Sequence, residues 1–287
     1  MYKKLVLSGG AAKGFAFIGV VQALEEADKI QEFEEFTGTS IGGFCCLLII
    51  LGYTSSEMKK IFYNFDFSKV IEYKLTNFIE GYGLDDGSGL EDFIKIFLQN
   101  KNIDKNITYK QLFTKYNKVL TTVSCNVNRK SVKYMNHENY PDLPVFKGIR
   151  MSMNLPFLFK PVEYMGELYI DGCMVSNFPI KYYTKATDDI FAVLLKDVLS
   201  DKSIDDIQTY ITYALKCSLS TIEDVDCNYS IETIGCEPLV IYFSRSEDAN
   251  FKINDSEKKT LTKTGYDKAK AFIEKKIYQP CIENGVL

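Results

Sequence analysis

The stretch Phe36-Thr37-Gly38-Thr39-Ser40-Ile41-Gly42-Gly43 sets the tightest limit on what this chain can fold into. A serine with glycine two residues away on either side, and apolar residues before and after, is the pattern of a strand that turns abruptly into a helix. The serine sits at the turn, in a strained backbone conformation, with its hydroxyl presented outward. Gly38 and Gly42 keep the turn tight, because a Cβ at either place would strike the neighbouring strand or helix. In a chain of 287 residues the bare spacing arises by chance in about one sequence in ten. It needs a second signal.

That signal lies upstream. Lys3 to Leu7 reads as a short strand, apolar at its end as buried parallel strands are. Ser8-Gly9-Gly10-Ala11-Ala12-Lys13-Gly14 follows, and then Phe15, Ile18, Val21 and Leu24 recur at helical spacing as far as Asp28. A glycine-rich loop between a strand and a helix N-terminus leaves several backbone N–H groups without helical partners. Such a loop serves nucleotide phosphates, an oxyanion, or nothing beyond the turn itself. The phosphate patterns G-x-x-x-x-G-K-[ST] and G-x-G-x-x-G are absent here. With the next strand near Glu34 to Gly38, the two loops open at the same C-terminal edge of a parallel sheet, where α/β folds bind ligands. Topology therefore sets the glycine loop beside Ser40.

The rest of the chain supports an α/β reading: three layers, a mostly parallel central sheet flanked by helices, and the serine turn at the sheet's C-terminal edge. A buried helix is expected from Ile41 to Leu51, ended by Gly52. Amphipathic helices are expected over Ser55 to Asn64 and Leu90 to Gln99, the second capped by Ser88 with Glu91 three residues on. Ile71 to Gly83, rich in Tyr, Phe and Gly, is either a cap over the site or an ordinary connection. Val119 to Asn126 is a strand that pairs with Ser131 to Met135, and two short strands around Val162 to Tyr164 and Leu168 to Ile170 turn through Met165-Gly166. Ile190 to Lys196 and Pro238 to Phe243 are further strands. Helices run over Ile204 to Leu219 and Glu257 to Ile277. Residues 1–200 form the expected catalytic core, and 201–287 complete the same domain.

A net charge of −4 provides no basic field for a nucleic acid. The longest apolar run, Phe44 to Leu51, is eight residues, far below the roughly 20 of a spanning helix. The N-terminus is too short in apolar residues for a signal h-region. A cytoplasmic protein, peripheral on membranes at most, is the expectation. The eight cysteines show no metal-ligand spacing and read as reduced core thiols. No cofactor, metal or calcium loop is expected.

A serine hydroxyl needs a positioned proton acceptor. The chain has one histidine, His137, in a polar turn, and none follows Asp171, so the order Ser, acid, His of α/β-hydrolases is impossible. The remaining acceptor is a carboxylate. Asp171 ends an apolar strand and is followed by Gly172, which equally suits a turn or capping role. An aspartate acts as base at neutral pH only where a partly desolvated site raises its basicity, and such a site leans on oxyanion donors.

These blocks together resemble the patatin-like phospholipase family: Ser8 to Gly14 its oxyanion loop, Gly38-Thr39-Ser40-Ile41-Gly42 its nucleophile elbow, and Asp171-Gly172-Cys173 its Asp-Gly-Gly/Ala motif. Ser152 to Pro161 and the pair Asn177, Pro179 also resemble family blocks. The resemblance implies a Ser40/Asp171 dyad that hydrolyses acyl esters of phospholipids or lysophospholipids through an acyl-enzyme without calcium. The amides of Gly9, Gly10 and Ala11 would hold the oxyanion. It also implies transient contact with a lipid surface and no nucleic acid partner. Two positions depart from the pattern. Ala11 replaces a glycine, which a negative φ accommodates, and Cys173 brings a sulfur beside Asp171. A lipid-binding protein that keeps the fold without the chemistry is the alternative, with a hydrolase of soluble esters or peptides behind it.

Overall fold

In the computed structural model, residues 2–65, 76, 78, 81–198, 204, 207–243 and 253–283 are described. Most of the segment 71–83 lies outside them, so the expected cap falls beyond what is described. The elements, in chain order, begin with β1 (Lys4–Leu7), α1 (Phe15–Glu26), β2 (Glu35–Thr39), α2 (Ile41–Ile50), α3 (Ser55–Asn64), β3 (Gly83–Asp85) and α4 (Ser88–Asn100). Then come α5 (Tyr109–Tyr116), β4 (Val119–Asn126), β5 (Ser131–Met135), α6 (Val145–Ser152), β6 (Phe157–Phe159), β7 (Val162–Tyr164), β8 (Glu167–Asp171) and α7 (Cys173–Ser176). The chain closes with β9 (Ile190–Asp197), α8 (Ile207–Tyr229), β10 (Leu239–Phe243) and α9 (Asp255–Glu283).

The main sheet has the order β10-β9-β1-β2-β4-β8-β7, with β5 paired to β4 off that path. The five strands from β10 to β4 are mutually parallel. Parallel strands need cover on both faces, and alternate residues show that they have it. Leu5 and Leu7 of β1 belong to one apolar cluster with Phe191, Val193 and Leu195 of β9, while Val6 joins Ile190, Ala192 and Leu194 in a second. The sheet is therefore the middle of three layers.

Registers fix how the site assembles. Thr122 and Val123 of β4 pair with both β2 and β5, so those two strands lie on opposite edges of β4. Ser124 to Asn126 pair with both β5 and β8, which sets β8 on the same edge as β2. Along that edge Thr39 faces Val123 and Asp171 faces Ser124. The end of β2 and the end of the antiparallel β8 thus meet on consecutive positions of β4.

Against the α2 side, Phe44, Phe62, Phe93 and Phe97 interlock at centroid distances such as 5.2 Å for Phe44–Phe97 and 5.0 Å for Phe93–Phe97. Each ring pair adds about 1 kcal/mol beyond its buried area, and together they seat α3 and α4 on α2. Helix α9 lies on α1 with backbone nearly touching backbone. A methyl built on Gly19 would be 2.0 Å from the Thr262 carbonyl oxygen, and one on Gly265 2.0 Å from that of Ala16.

One helix start differs from expectation. Ser88 is the first helical residue of α4, and the cap is Gly87 at φ 81. The carboxylate of Asp85 accepts the Gly87 N–H at 2.5 Å and that of Asp86 accepts the Ser88 N–H at 2.9 Å. Two aspartates therefore take the part assigned to the serine.

Candidate active site

Ser40 stands between β2 and α2 at φ 54, ψ −125, a backbone conformation that side chains rarely adopt. The turn has no room to relax. A Cβ on Gly38 would lie 2.4 Å from the Gly43 nitrogen, and one on Gly42 2.4 Å from the Ser8 carbonyl oxygen. The Ser40 amide donates to Ser152 Oγ at 2.8 Å, a tie to the buried end of α6.

The Ser40 hydroxyl donates to Asp171 Oδ2 at 2.8 Å. The other carboxylate oxygen, Oδ1, accepts the Cys173 N–H, also at 2.8 Å. Asp171 is wholly buried. Removal from water pushes its pKa up to about 6, partly offset by donation from the Cys173 amide, the Ser40 hydroxyl and the Cys173 thiol. The cysteine sulfur therefore does more than add bulk: the thiol lowers the pKa of the carboxylate beside it.

Asp171 is also held from behind. Its N–H donates to the Asn154 carbonyl oxygen at 2.8 Å, and Asn154 Nδ2 donates to the Tyr169 carbonyl at 2.9 Å. Asn154 Oδ1 in turn accepts from Arg150 Nη1 at 2.5 Å. Arg150 is 1% exposed, with its guanidinium over the Phe159 ring, and burial lowers its pKa to about 10. Nothing in the local sequence marks Arg150, Ser152 or Asn154 for these tasks, although the last two lie in a block that resembles the family.

The glycine loop runs beside Ser40, as the topology requires. A methyl built on Gly9 would sit 3.6 Å from the Ser40 Cβ. Ser8 Oγ accepts the Leu195 N–H at 3.0 Å and donates to the Gly9 carbonyl at 2.9 Å, which anchors the start of the loop. The amides differ from expectation. The Gly9 N–H is donated to the Asn177 carbonyl at 2.9 Å and is not available to an oxyanion. Among the described residues no acceptor is found for the Gly10 and Ala11 amides, which start a short 3-10 turn over Ala11–Gly14. Ala11 adopts φ +45 rather than a negative angle, at a strain of about 1–2 kcal/mol.

Ala11, Ala12 and Ser40 form the polar end of a cavity whose remaining wall is apolar: Phe15 and Ile18 of α1, Ile41, Phe44, Cys45 and Leu48 of α2, Met58 and Phe62 of α3, Phe93 of α4, with Leu155 and Phe159. His137 is elsewhere in its interactions, stacked on Phe113 at a centroid distance of 3.9 Å. Among the described residues no three His, Cys, Asp or Glu side chains are grouped to hold a metal ion, and no helix is long and apolar enough to cross a membrane. Cys45, Cys46, Cys125, Cys173, Cys217, Cys227 and Cys236 are free thiols.

Comparison with known proteins places the chain in a family and a fold. The model of the family described as patatin-like phospholipase matches residues 5–183. Probable lipid hydrolase 463L of Invertebrate iridescent virus 6 is 31% identical over 194 residues, which cover 64% of this chain and 65% of the relative. Lysophospholipase NTE1 of Debaryomyces hansenii is 26% identical over 192 residues, 61% of this chain but 10% of that much longer protein. The chain thus matches just under two thirds of the viral relative's length. Among solved structures, VipD from Legionella pneumophila superposes with a TM-score of 0.69 at 16% identity, covering 95% of this chain and 67% of its own. That likeness shows a shared α/β fold with a central sheet between helices.

Proposed function

The chain belongs to the patatin-like phospholipase family, and from that premise we propose that it is a lipid acyl hydrolase in which Ser40 is the nucleophile and Asp171 its general base. The observation that carries the reading is the 2.8 Å contact between Ser40 Oγ and a buried carboxylate whose pKa is raised to about 6. An ordinary aspartate is too weak a base near neutrality, and desolvation supplies the missing basicity.

The steps follow from the contacts. With an acyl chain in the apolar cavity, the ester carbonyl lies at its polar end. Ser40 Oγ attacks the carbonyl carbon as its proton passes to Asp171 Oδ2. The carbonyl oxygen becomes an oxyanion, received by the Gly10 and Ala11 amides in place of the three-amide set that includes Gly9. The start of α2 directly after Ser40 adds the positive end of a helix dipole. Collapse breaks the bond to the alcohol, which leaves with the proton from Asp171, and Ser40 keeps the acyl group. Water then attacks this ester with Asp171 as base, the fatty acid departs, and the serine recovers its proton.

Substrates are acyl esters of phospholipids or lysophospholipids, met at a lipid surface. The relatives named lipid hydrolase and lysophospholipase support that class. Amide donors provide the charge stabilisation, so no calcium ion is required. We further read residues 1–200 as the catalytic core and 201–287 as its completion. In support, β10 extends the sheet from β9 and α9 lies against α1.

The test is direct. A fluorophosphonate probe labels wild type but not Ser40→Ala, and mass spectrometry finds fatty acid and lysolipid released from a mixed lipid extract by wild type alone, with or without EDTA. Release by Ser40→Ala at the wild-type rate would end the assignment.

A further inference from the structure

We propose that Glu223, on helix α8 and outside the residues matched by the family model, is the positioning residue that locks the oxyanion loop against the sheet; the proposal rests on the hydrolase reading above. The lock is a relay of two hydrogen bonds. Glu223 Oε1 accepts from Asn177 Nδ2 at 2.6 Å, and the Asn177 carbonyl oxygen accepts the Gly9 N–H at 2.9 Å. All three groups are removed from water, with Asn177 at 5% and Glu223 at 7% exposure. The asparagine side chain also presses on the loop: a Cβ on Gly9 would be 2.3 Å from Asn177 Oδ1. Gly9 is thus clamped by the residue that Glu223 orients.

Glu223 is costly to keep in this place. Burial raises its pKa, with the charge of Lys13 acting in the opposite direction. Lys13 is itself part of the loop, and its Nζ meets Asp197 Oδ1 at 2.8 Å, while Lys216 of α8 approaches Asp197 Oδ2 at 3.6 Å. Helix α8 is therefore linked to the loop through two intermediaries, Asn177 and Asp197. A buried carboxylate that served only to fill space would be replaced more favourably by an apolar side chain. Its place is explained by what it aims. With Gly9 fixed, the next two amides, of Gly10 and Ala11, which have no acceptor among the described residues, follow an anchored point, and donors fixed before the reaction are those that lower a barrier.

The experiment uses the full chain with Glu223→Met, which keeps buried volume but has no strong acceptor, Glu223→Ala as a second removal, and Glu223→Gln, whose amide oxygen still accepts from Asn177. Amide hydrogen exchange at Gly9 is measured by NMR, and kcat and KM on a monomeric short-chain ester. In Glu223→Met the Gly9 amide is expected to exchange at least about tenfold faster, and kcat to fall about tenfold with KM nearly unchanged. Glu223→Gln is expected to restore both. The acid limb set by Asp171 stays in place in every variant, which separates loop positioning from a general loss of structure. Unchanged Gly9 protection, unchanged kcat, or equal damage in Glu223→Gln would overturn the proposal. An inactive wild type would instead overturn the hydrolase reading, with the exchange arm still deciding whether Glu223 holds Gly9.

Discussion

Asp171 and Cys173 close on each other across a single glycine: the Cys173 amide donates to Asp171 Oδ1 at 2.8 Å, and its thiol acts on the carboxylate's pKa in the same direction. Both favour the ionised form, against the burial that raises the pKa to about 6. The balance between them sets the pH at which the carboxylate can accept a proton.

The acid limb of kcat/KM should therefore have an apparent pKa near 6, since below it Asp171 is already protonated and cannot take the Ser40 proton. Cys173→Ala removes the thiol donor and keeps the amide, so the limb should move to higher pH. A pH profile of wild type and variant on one monomeric ester checks this. A limb that stays put would show that the thiol does not act on the base.

The same shift has a stability consequence of opposite benefit. A buried carboxylate with a raised folded-state pKa destabilises the fold as pH rises from about 4 to about 6, because ionisation then costs more in the folded than in the unfolded chain. From 3.8 to about 6 this amounts to about 3 kcal/mol. Asp171→Asn should abolish turnover and yet raise Tm at pH 7, with the gain shrinking toward pH 4. Thermal melts at the two pH values decide it.

Ala11 stores strain next to the site, at φ +45 where glycine is at ease. Ala11→Gly should raise stability by up to about 1 kcal/mol, less whatever entropy the freer unfolded chain regains. Activity should stay within about threefold, since the amide of residue 11 is retained. Ala11→Val, which adds a β-branch to the same backbone, should lower both Tm and kcat.

The contact of α1 with α9 is a further point of dependence. Gly265→Val would force its Cβ to 2.0 Å from the Ala16 carbonyl oxygen, an overpacking of about 1–3 kcal/mol. Because the glycine-rich loop beside Ser40 leads directly into α1, kcat should fall along with Tm. Denaturant titration and steady-state kinetics on the same preparation test the link.

How much of this was legible beforehand follows from how local each signal is. The elbow at Ser40 is written in eight consecutive residues, and two of its glycines, Gly38 and Gly42, have backbone 2.4 Å from where a Cβ would be. Asp171 shows in the sequence as a strand end followed by glycine and as the head of the Asp171-Gly172-Cys173 block that resembles the family motif. That β8 shares an edge of β4 with β2, which brings Asp171 to Ser40, is a property of register that no short segment carries. The Gly9 amide departs from expectation for the same reason. Its acceptor, Asn177, lies far along the chain, whereas the loop alone displays three equivalent N–H groups. Ser88 has the residue type of a helix cap, but Asp86 accepts from its amide, the first of α4, and Asp85 from the Gly87 amide just before it. Glu223 sits in an ordinary amphipathic helix and carries no mark of its partner.

The cavity gives a last prediction, about chain length. Ile41, Phe44, Cys45 and Leu48 are spaced along one stripe of α2 and all line it. From Ile41 to Leu48 the helix advances about 10 Å, so Leu48 lies far from Ser40 while Ile41 lies beside it. An acyl chain that threads along this stripe gains about 0.8 kcal/mol per buried methylene, equivalent to roughly fourfold in kcat/KM for each added carbon until the cavity is full. Leu48→Trp fills the distal end and leaves the Ser40–Asp171 contact untouched. Rates on a series of nitrophenyl esters of increasing chain length should then rise as in wild type for the shortest members and level off several carbons earlier. A parallel drop across the whole series would mean that Leu48 supports the fold and does not line the path of the chain.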